Sequence, residues 1–239
     1  MKYLILFDID GTILKFRQYN SREIFAKMIK EVFGRDVPLS VMPDFSGMTD
    51  LQILKDIASK IQLDDDKLMS KLPEVWCTIC NDFKQYCTPD YMKLLPNVSE
   101  LIKILDSNPD VSLGLQTGNF VENAYIKLKA FNLDTYFPFG AFGSDHEDRN
   151  KLPLLAIERA NNLIGYPAFS EINTLVIGDS HRDIECAKSN NLPVLAVATG
   201  NFSVGELSKF EPDAVLENFE NIEETLSTIY GLLRINEDY

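Results

Sequence analysis

The chain has 239 residues, of which 45% are apolar, and a formal net charge of −13 at pH 7. This length suits one α/β domain or a domain with an insertion, and the apolar content is enough for a sizeable core. The negative charge argues against nucleic acid as a partner, because such binding needs a basic patch that displaces counterions.

Composition also sets expectations about location. No run approaches the ~18 apolar residues of a membrane span, and the first apolar run meets Asp8 before it reaches the length of a signal peptide. Four cysteines are too few and too unevenly spaced for a disulfide framework. We therefore expect a cytoplasmic monomer or homodimer that acts on a small molecule and contacts no membrane.

The predicted elements alternate along most of the chain. Short apolar runs predict β-strands at residues 3–7, 111–116, 139–142, 174–177, 193–197 and 213–216. Apolar residues at helical spacing predict helices at 98–105, 121–131, 153–164 and 181–190, and a terminal amphipathic helix after Asn218. This alternation predicts an α/β fold with a doubly wound parallel sheet.

The interval from Lys15 to Tyr91 breaks the alternation. Helical spacing replaces the strand signal at residues 24–33, 50–59 and 65–83, and Asp50 is the predicted N-cap of the second helix. We therefore predict an α-helical cap over residues 15–91, inserted into a core formed by residues 1–14 and 92–239.

Two carboxylates follow the first strand, at Asp8 and Asp10, and a glycine comes next. In an open α/β sheet, ligands bind beyond the carboxyl ends of the strands. Two carboxylates turned toward one site need a cation or a proton between them. The pattern therefore indicates metal-assisted chemistry, and the alternative is a strand that ends in an acidic turn, since Asp and Gly are common turn residues.

Residues 8–12 resemble the first motif of the haloacid dehalogenase-like superfamily. Residues 114–119, which end a strand with a hydroxyl and a glycine, resemble the second motif, and residues 175–180 followed by Asp183 resemble the fourth. The motifs occur in the superfamily's order over essentially the whole chain. Residues 45–50 resemble a cap segment of its phosphoglycolate phosphatase-like branch, so the resemblance implies a Rossmann-like core with an inserted cap.

The resemblance implies a role for each acidic residue. Asp8 would be the nucleophile that forms an aspartyl-phosphate, and Asp10 would be the general acid and then the general base. Mg²⁺ would be bound by Asp8, the backbone carbonyl of Asp10 and Asp179, because such a hard cation prefers oxygen ligands. Asp183 would support the metal or its waters from behind.

The second motif would bind the phosphoryl group of the substrate. Thr117 would donate its hydroxyl, and Gly118 would donate its amide where a side chain would obstruct approach. Asn119 is explained equally well as an N-cap of the helix that begins near Val121. Thr12 is expected to brace the first loop by hydrogen bonds.

The third motif of the superfamily is a lone cation before a helix, and this chain offers Arg149 and Lys151. Residue type favours Lys151, whereas the distance to Leu154 and Leu155 favours Arg149. We favour Arg149, because Pro153 marks the helix start and a planar guanidinium can hold a carboxylate and a phosphoryl oxygen at once.

The remaining candidates for chemistry are histidines and cysteines. His146 and His181 lie in polar, loop-like stretches, and we do not assign them a catalytic role. Cys77 and Cys80 form a C-x-x-C pair, which could be a redox pair or half a zinc site. Since the pair falls inside a predicted helix and no second pair exists, we interpret both as ordinary helix residues.

Together these features predict a Mg²⁺-dependent phosphatase that acts on a small phosphorylated metabolite, a phosphoglycolate-like monoester. Asp10 argues against dehalogenation, because release of a halide needs no protonated leaving oxygen. A phosphomutase of the same fold keeps both carboxylates and stays open as an alternative. A non-catalytic phosphate-binding module is disfavoured, since it would have no use for a second, protonatable aspartate.

Overall fold

The computed structural model describes residues 2–17 and 21–235. The strands are β1 (Tyr3–Phe7), β2 (Leu14–Phe16), β3 (Met92–Leu94), β4 (Val111–Thr117), β5 (Gly140–Phe142), β6 (Thr174–Gly178), β7 (Val194–Val197) and β8 (Ala214–Leu216). The helices are α1 (Ser21–Phe33), α2 (Asp50–Lys60), α3 (Asp65–Ser70), α4 (Leu72–Tyr86), α5 (Val98–Ser107), α6 (Val121–Lys129), α7 (Leu152–Ile164), α8 (His181–Lys188), α9 (Val204–Leu207) and α10 (Ile222–Leu233).

Six strands form one sheet in the order β5-β4-β1-β6-β7-β8, and every neighbouring pair is parallel. All six were predicted from the sequence, and each predicted boundary agrees to within one residue. The predicted α/β class with a doubly wound parallel sheet is confirmed. Because β1 lies between β4 and β6, the chain reverses its direction of winding at β1, which is where such sheets bind ligands.

Both faces of the sheet are buried, because alternate side chains of a strand point to opposite sides. Leu4 and Leu6 pack with residues of α7 and α8 in one apolar cluster. Ile5 and Phe7 belong to a larger cluster with residues of α5, α6 and α10, and this cluster continues into α1, α2 and α4. One face of the sheet therefore shares its core with the helices that lie between β2 and β3.

Those helices, α1 to α4, make up the segment that we call the insert, defined as the chain between β2 and β3. The chain leaves and returns through β2 and β3, which pair antiparallel with Leu14 opposite Leu94. The sequence did not predict this pair, because strands of three residues carry no periodic pattern. The division of the chain into a core and a separate cap domain stays a prediction.

Two details of the insert differ from prediction. The helix predicted over residues 65–83 is two helices, with Lys71 ending α3 and preceding α4. Asp50 is the first residue of α2 and not its N-cap; the cap is Thr49, whose hydroxyl accepts from the amide of Gln52. Asp50 instead accepts a hydrogen bond from the amide of Phe120, which precedes α6.

Within the described part of the chain, no helix has the length and apolar character needed to cross a membrane.

Candidate active site

The carboxyl ends of β4, β1 and β6 lie side by side and open into a cavity of about 590 Å³. Thr117 ends β4, Asp8 follows β1 and Asp179 follows β6, so adjacent parallel strands deliver three predicted residues to one place. The predicted residues that line this cavity are Asp8, Asp10, Thr117, Gly118, Asn119, Arg149 and Asp179. Topology, and not proximity in sequence, therefore brings these motifs together.

Arg149 lies at the centre of the charged network. Its Nη2 donates to an oxygen of Asp8 at 3.1 Å and to an oxygen of Asp183 at 2.5 Å. Its Nη1 donates to the backbone carbonyl of Gly47 in the insert at 3.1 Å. Burial lowers the pKa of Arg149, but Asp183 and Asp8 outweigh it and keep the guanidinium charged.

Lys151, the other candidate for the third motif, is exposed and does not line the cavity. Helix α7 begins at Leu152 with Pro153 in its first turn, so the helix start lies where the spacing argument required it. The position of Arg149 fits the role predicted for the third-motif cation, and the position of Lys151 does not.

Three carboxylates meet beside Arg149. Asp8, Asp179 and Asp183 each offer an oxygen within 4.8 Å of the others. Burial raises the pKa of Asp8 to about 7 despite Arg149, and burial together with the neighbouring carboxylates raises the pKa of Asp179 well above its ordinary value. Three neighbouring carboxylates concentrate negative charge and offer only oxygen atoms as ligands. Such a group of ligands fits a hard divalent cation such as Mg²⁺.

The three carboxylates differ in how much of their capacity is already used. One oxygen of Asp183 bonds Arg149, and the other accepts from the amide and the hydroxyl of Ser180 at 3.1 and 2.6 Å. Asp183 therefore completes the capping box of Ser180 at the N-terminus of α8 and orients Arg149, which fits the supporting role predicted for it. Direct binding would fall to Asp8 and Asp179.

The backbone at two glycines packs closely against the Asp179 carboxylate. A Cβ atom at either Gly11 or Gly200 would overlap the Asp179 carboxylate, and Gly11 also adopts a φ of +85°. Only glycine permits this approach without strain. The carboxylate is thus held between two loops that cannot accept a side chain.

The second carboxylate of the first motif, Asp10, is held by a residue that sequence reasoning missed. Its Oδ2 accepts from the ammonium of Lys127 at 2.5 Å and from the side-chain amide of Asn119 at 2.8 Å. Lys127 is only 3% exposed. Burial lowers the pKa of Lys127, but Asp10 and its other neighbours outweigh burial and raise the pKa above its ordinary value.

A sequence signal for Lys127 did exist. Ala124 and Leu128 mark the apolar side of α6. Lys127 comes three residues after Ala124, a spacing that places it on the same side of the helix. A lysine on the buried side of a helix needs a partner, because a lone buried charge is costly. The predicted helix directly follows the second motif, so a partner in the site was the natural choice.

The second motif closes the cavity between β4 and α6. Thr117 is fully buried, and its Oγ1 accepts from the side-chain amide of Asn119 at 2.8 Å. The N-cap position of α6 is Phe120, so Asn119 is not the helix cap and belongs to the polar network instead. A Cβ atom at Gly118 would overlap the carbonyl oxygen of Met48, so Gly118 also permits close approach of the insert.

Thr12 differs from the expectation that its side chain braces the first loop. Its hydroxyl is buried and has no hydrogen-bond partner among residues 2–17 and 21–235. The loop is instead closed by backbone bonds, in which the amides of Thr12, Ile13 and Leu14 donate to the carbonyl of Ile9. Thr12 therefore contributes its backbone and its packing.

The insert meets the site mainly through backbone atoms. The carbonyl of Ser46 accepts from Arg182, and the carbonyl of Gly118 accepts from the amide of Asp50 at 2.7 Å. Two edge-to-face phenylalanine pairs, Phe25 with Phe45 and Phe16 with Phe83, also line the cavity. The cavity therefore has its paired charges on the side of the sheet, whereas the insert side combines phenylalanine rings with the charged side chains of Arg22, Asp44 and Asp50.

The histidines and the C-x-x-C pair lie elsewhere. His181 stacks on Phe210, and the Nδ1 of His146 accepts from the amide of Asp148. Neither histidine lines the cavity. Cys77 and Cys80 are free and lie within α4, as predicted.

The family model for haloacid dehalogenase-like hydrolases matches residues 5–197 of this chain. The chain therefore belongs to that family, and the resemblance found in the motifs is confirmed. The prediction of an enzyme is confirmed with it, and a phosphatase of this family is the assignment that the comparisons support.

Individual relatives are distant. Pyrophosphatase PpaX of Listeria welshimeri is 23% identical over 218 residues, which cover 91% of this chain and 93% of that protein. The structure of β-phosphoglucomutase from Clostridium difficile has a TM-score of 0.71 at 17% identity, covering 99% of this chain and 100% of that one. A predicted phosphoglycolate phosphatase from Haemophilus somnus has a TM-score of 0.62 at 19% identity, covering 94% and 98%. At these identities the solved structures show a shared fold alone.

Proposed function

We propose that this chain is a Mg²⁺-dependent phosphatase that hydrolyses a small phosphate monoester through an aspartyl-phosphate on Asp8. The observation that carries the proposal is the placement of Asp8. It is buried at the carboxyl edge of the sheet, bonded to Arg149 and next to Asp179 and Asp183. Such an oxygen is well placed to attack a phosphorus atom whose charge the neighbouring cation stabilises.

In the first step, an oxygen of Asp8 forms a bond to phosphorus as the bond from phosphorus to the ester oxygen breaks. Asp10 donates its proton to that leaving oxygen, which departs as an alcohol. Arg149 stays bonded to Asp8 and opposes the charge on the phosphoryl oxygens, and Thr117 and the Gly118 amide donate hydrogen bonds to them.

In the second step, Asp10 accepts a proton from a water molecule whose oxygen attacks phosphorus. The bond between phosphorus and Asp8 breaks, so Asp8 returns as a carboxylate and inorganic phosphate leaves. Both proton transfers use one residue, which is why the site needs two carboxylates with different surroundings.

Asp8, Asp179 and the backbone carbonyl of Asp10 would hold Mg²⁺, with Asp183 supporting them. When bound, the ion supplies positive charge that lowers the pKa of the carboxylates and neutralises the phosphoryl oxygens. The raised pKa values of Asp8 and Asp179 support this assignment, since a bound cation would favour the charged form of both groups.

The insert would act as the cap that selects the alcohol part of the substrate, since its residues line the side of the cavity away from β1. A phosphoglycolate-like monoester is the expected class, and the structural similarity to a predicted phosphoglycolate phosphatase supports it. A phosphomutase is the second candidate. The specific observation in its favour is the TM-score of 0.71 to a β-phosphoglucomutase.

The test is phosphate release by the purified chain from a panel of small phosphate monoesters and from p-nitrophenyl phosphate. We expect Mg²⁺-dependent release of inorganic phosphate that a chelator abolishes and added Mg²⁺ restores. Isomerisation of a sugar phosphate without release of phosphate would favour the phosphomutase. Tight phosphate binding without turnover of any ester would contradict both enzymes.

A further inference from the structure

Lys127 is a buried cation at the cavity that no predicted motif accounts for. Its ammonium donates to Oδ2 of Asp10 at 2.5 Å and to Oδ1 of Asn119 at 2.6 Å. The rings of Phe16 and Phe83 lie 5.4 and 5.5 Å from the same ammonium. Burial of a lone ammonium costs free energy, so these partners explain why the residue stays inside.

The contact with Asn119 fixes the orientation of its side-chain amide. An ammonium can only donate, so the atom that it meets must be the amide oxygen. The amide nitrogen of Asn119 is then left to donate, and it does so to Oδ2 of Asp10 and to Oγ1 of Thr117, each at 2.8 Å. Lys127 therefore sets the direction of two further hydrogen bonds.

Those two bonds determine which hydrogen of Thr117 and which oxygen of Asp10 remain available to the substrate. Because Oγ1 of Thr117 accepts from Asn119, the hydroxyl hydrogen of Thr117 is free to point into the cavity and donate to a phosphoryl oxygen. Because both donors to Asp10 use Oδ2, the remaining oxygen Oδ1 is the one that can carry the proton for the leaving group. The direction of donation runs from Lys127 through Asn119 to both residues.

We propose that Lys127 is a positioning residue that aligns the acid Asp10 and, through Asn119, the phosphoryl donor Thr117. The proposal rests on the phosphatase function and deepens it. It assigns to α6 a part in catalysis, although Lys127 itself need not touch the substrate.

The proposal predicts that the decrease in rate caused by removing Lys127 depends on the leaving group of the substrate. An alkyl phosphate needs its leaving oxygen protonated, whereas p-nitrophenolate leaves readily without a proton. A misaligned Asp10 should therefore harm the alkyl ester more. A purely structural role would lower turnover of both esters by the same factor.

The test compares Lys127→Met with Lys129→Met, a matched control two residues further along the same helix, where the lysine is exposed. We expect K127M to lower kcat/KM for glycerol phosphate by about 10²-fold or more, and kcat/KM for p-nitrophenyl phosphate by a factor at least about tenfold smaller. The quantity compared is kcat/KM because it reports the first step, in which the leaving group departs, whereas the second step is common to both esters. K129M should leave both within about twofold of the wild type. In the Asp10→Asn background, K127M should lower kcat/KM for the alkyl ester only by the smaller factor that it shows on p-nitrophenyl phosphate, which is the part that acts through Thr117.

Thermal unfolding of each variant checks that the fold is kept. If K127M does not fold, Lys127→Leu replaces it, because leucine also removes the ammonium and both of its hydrogen bonds and is a good helix former. Equal losses on the two esters, or a full additional loss in the Asp10→Asn background, would overturn the proposal. If the wild type hydrolyses neither ester, the phosphatase function fails instead, and the two failures are thus distinct.

Discussion

The edge of the sheet and the insert contribute different kinds of groups to one cavity. The sheet edge supplies charged side chains that hold one another, with Asp8 on Arg149 and Asp10 on Lys127. The insert supplies backbone atoms, phenylalanine rings such as Phe25 and Phe45, and the carboxylates of Asp44 and Asp50. The paired charges at the sheet edge would act on the bond that is made, whereas the mixed polar and apolar insert side would contact the rest of the bound molecule. Substitutions on the two sides should therefore fail in different ways.

The largest effect is expected from Asp8→Asn. An amide keeps the shape of the carboxylate and its bond to Arg149 in part, but it cannot attack phosphorus. Turnover of any phosphate ester should fall by at least about 10⁴-fold, with thermal unfolding nearly unchanged. The comparison is Asp44→Asn, which changes a carboxylate on the insert side of the same cavity and should cost less than about tenfold. Similar losses of turnover in both variants would contradict the claim that the sheet edge and the insert have different roles.

The next effect concerns Arg149. Arg149→Ala should lower kcat/KM by at least about 10²-fold, of order 3 kcal/mol of transition-state stabilisation, since Asp8 and the phosphoryl oxygens lose their shared cation. Lys151→Ala, which removes an exposed lysine two residues later, is the control and should cost little. Steady-state kinetics of the two variants decide the matter, and the opposite ranking would give the third-motif role to Lys151.

Metal dependence should change with Asp179→Ala. Removal of one anionic ligand from a site with few protein ligands should raise the Mg²⁺ concentration for half-maximal activity by at least about tenfold. Titration of activity with Mg²⁺ measures the shift, and circular dichroism checks the fold. An unaltered Mg²⁺ requirement in a folded variant would remove Asp179 from the metal site.

The smallest effect belongs to the contact between the insert and the second motif. Burial raises the pKa of Asp50 to about 6, although the Phe120 amide and Lys127 favour its charged form. The folded chain therefore binds this proton more tightly than the unfolded chain, and the contribution of Asp50 to stability falls as pH rises toward 6. Asp50→Asn keeps an acceptor oxygen for Phe120 and removes this titration.

Denaturant unfolding from pH 4 to 7 should then show the free energy of unfolding of Asp50→Asn rising relative to the wild type by about 1–3 kcal/mol. Asp66→Asn, at an exposed position in α3, is the control and should follow the wild type at every pH. A difference between Asp50→Asn and the wild type that does not change with pH would contradict the burial of this carboxyl group.

The sheet and its edge were predictable because their signals are local. A buried parallel strand is an apolar run, and the residue that follows it lies at the carboxyl edge whatever the rest of the chain does. This placed Asp8 at the edge, and the resemblance of residues 114–119 and 175–180 to the superfamily's motifs assigned Thr117 and Asp179 to the same site. The choice of Arg149 over Lys151 likewise followed from a local mark, the helix start at Pro153.

What the sequence did not reveal depends on partners distant in the chain. The helical pattern indicates that Lys127 is on the buried side of α6, but nothing near it identifies Asp10, which lies 117 positions earlier, as its partner. The bond between Asp50 and Phe120 and the unpartnered hydroxyl of Thr12 depend in the same way on how loops pack. The short pair β2 and β3 forms only because the chain must leave and re-enter the core at neighbouring points.

The most direct test of the central claim is chemical trapping of the intermediate during turnover of a phosphate monoester with Mg²⁺. Acid quenching followed by borohydride reduction converts an aspartyl-phosphate to homoserine, which peptide mass spectrometry locates. We predict homoserine at position 8 in the turning-over enzyme, none without substrate and none in Asp8→Asn. Homoserine at another carboxylate would contradict the account. So would an active Asp8→Asn variant together with turnover in which no residue can be trapped.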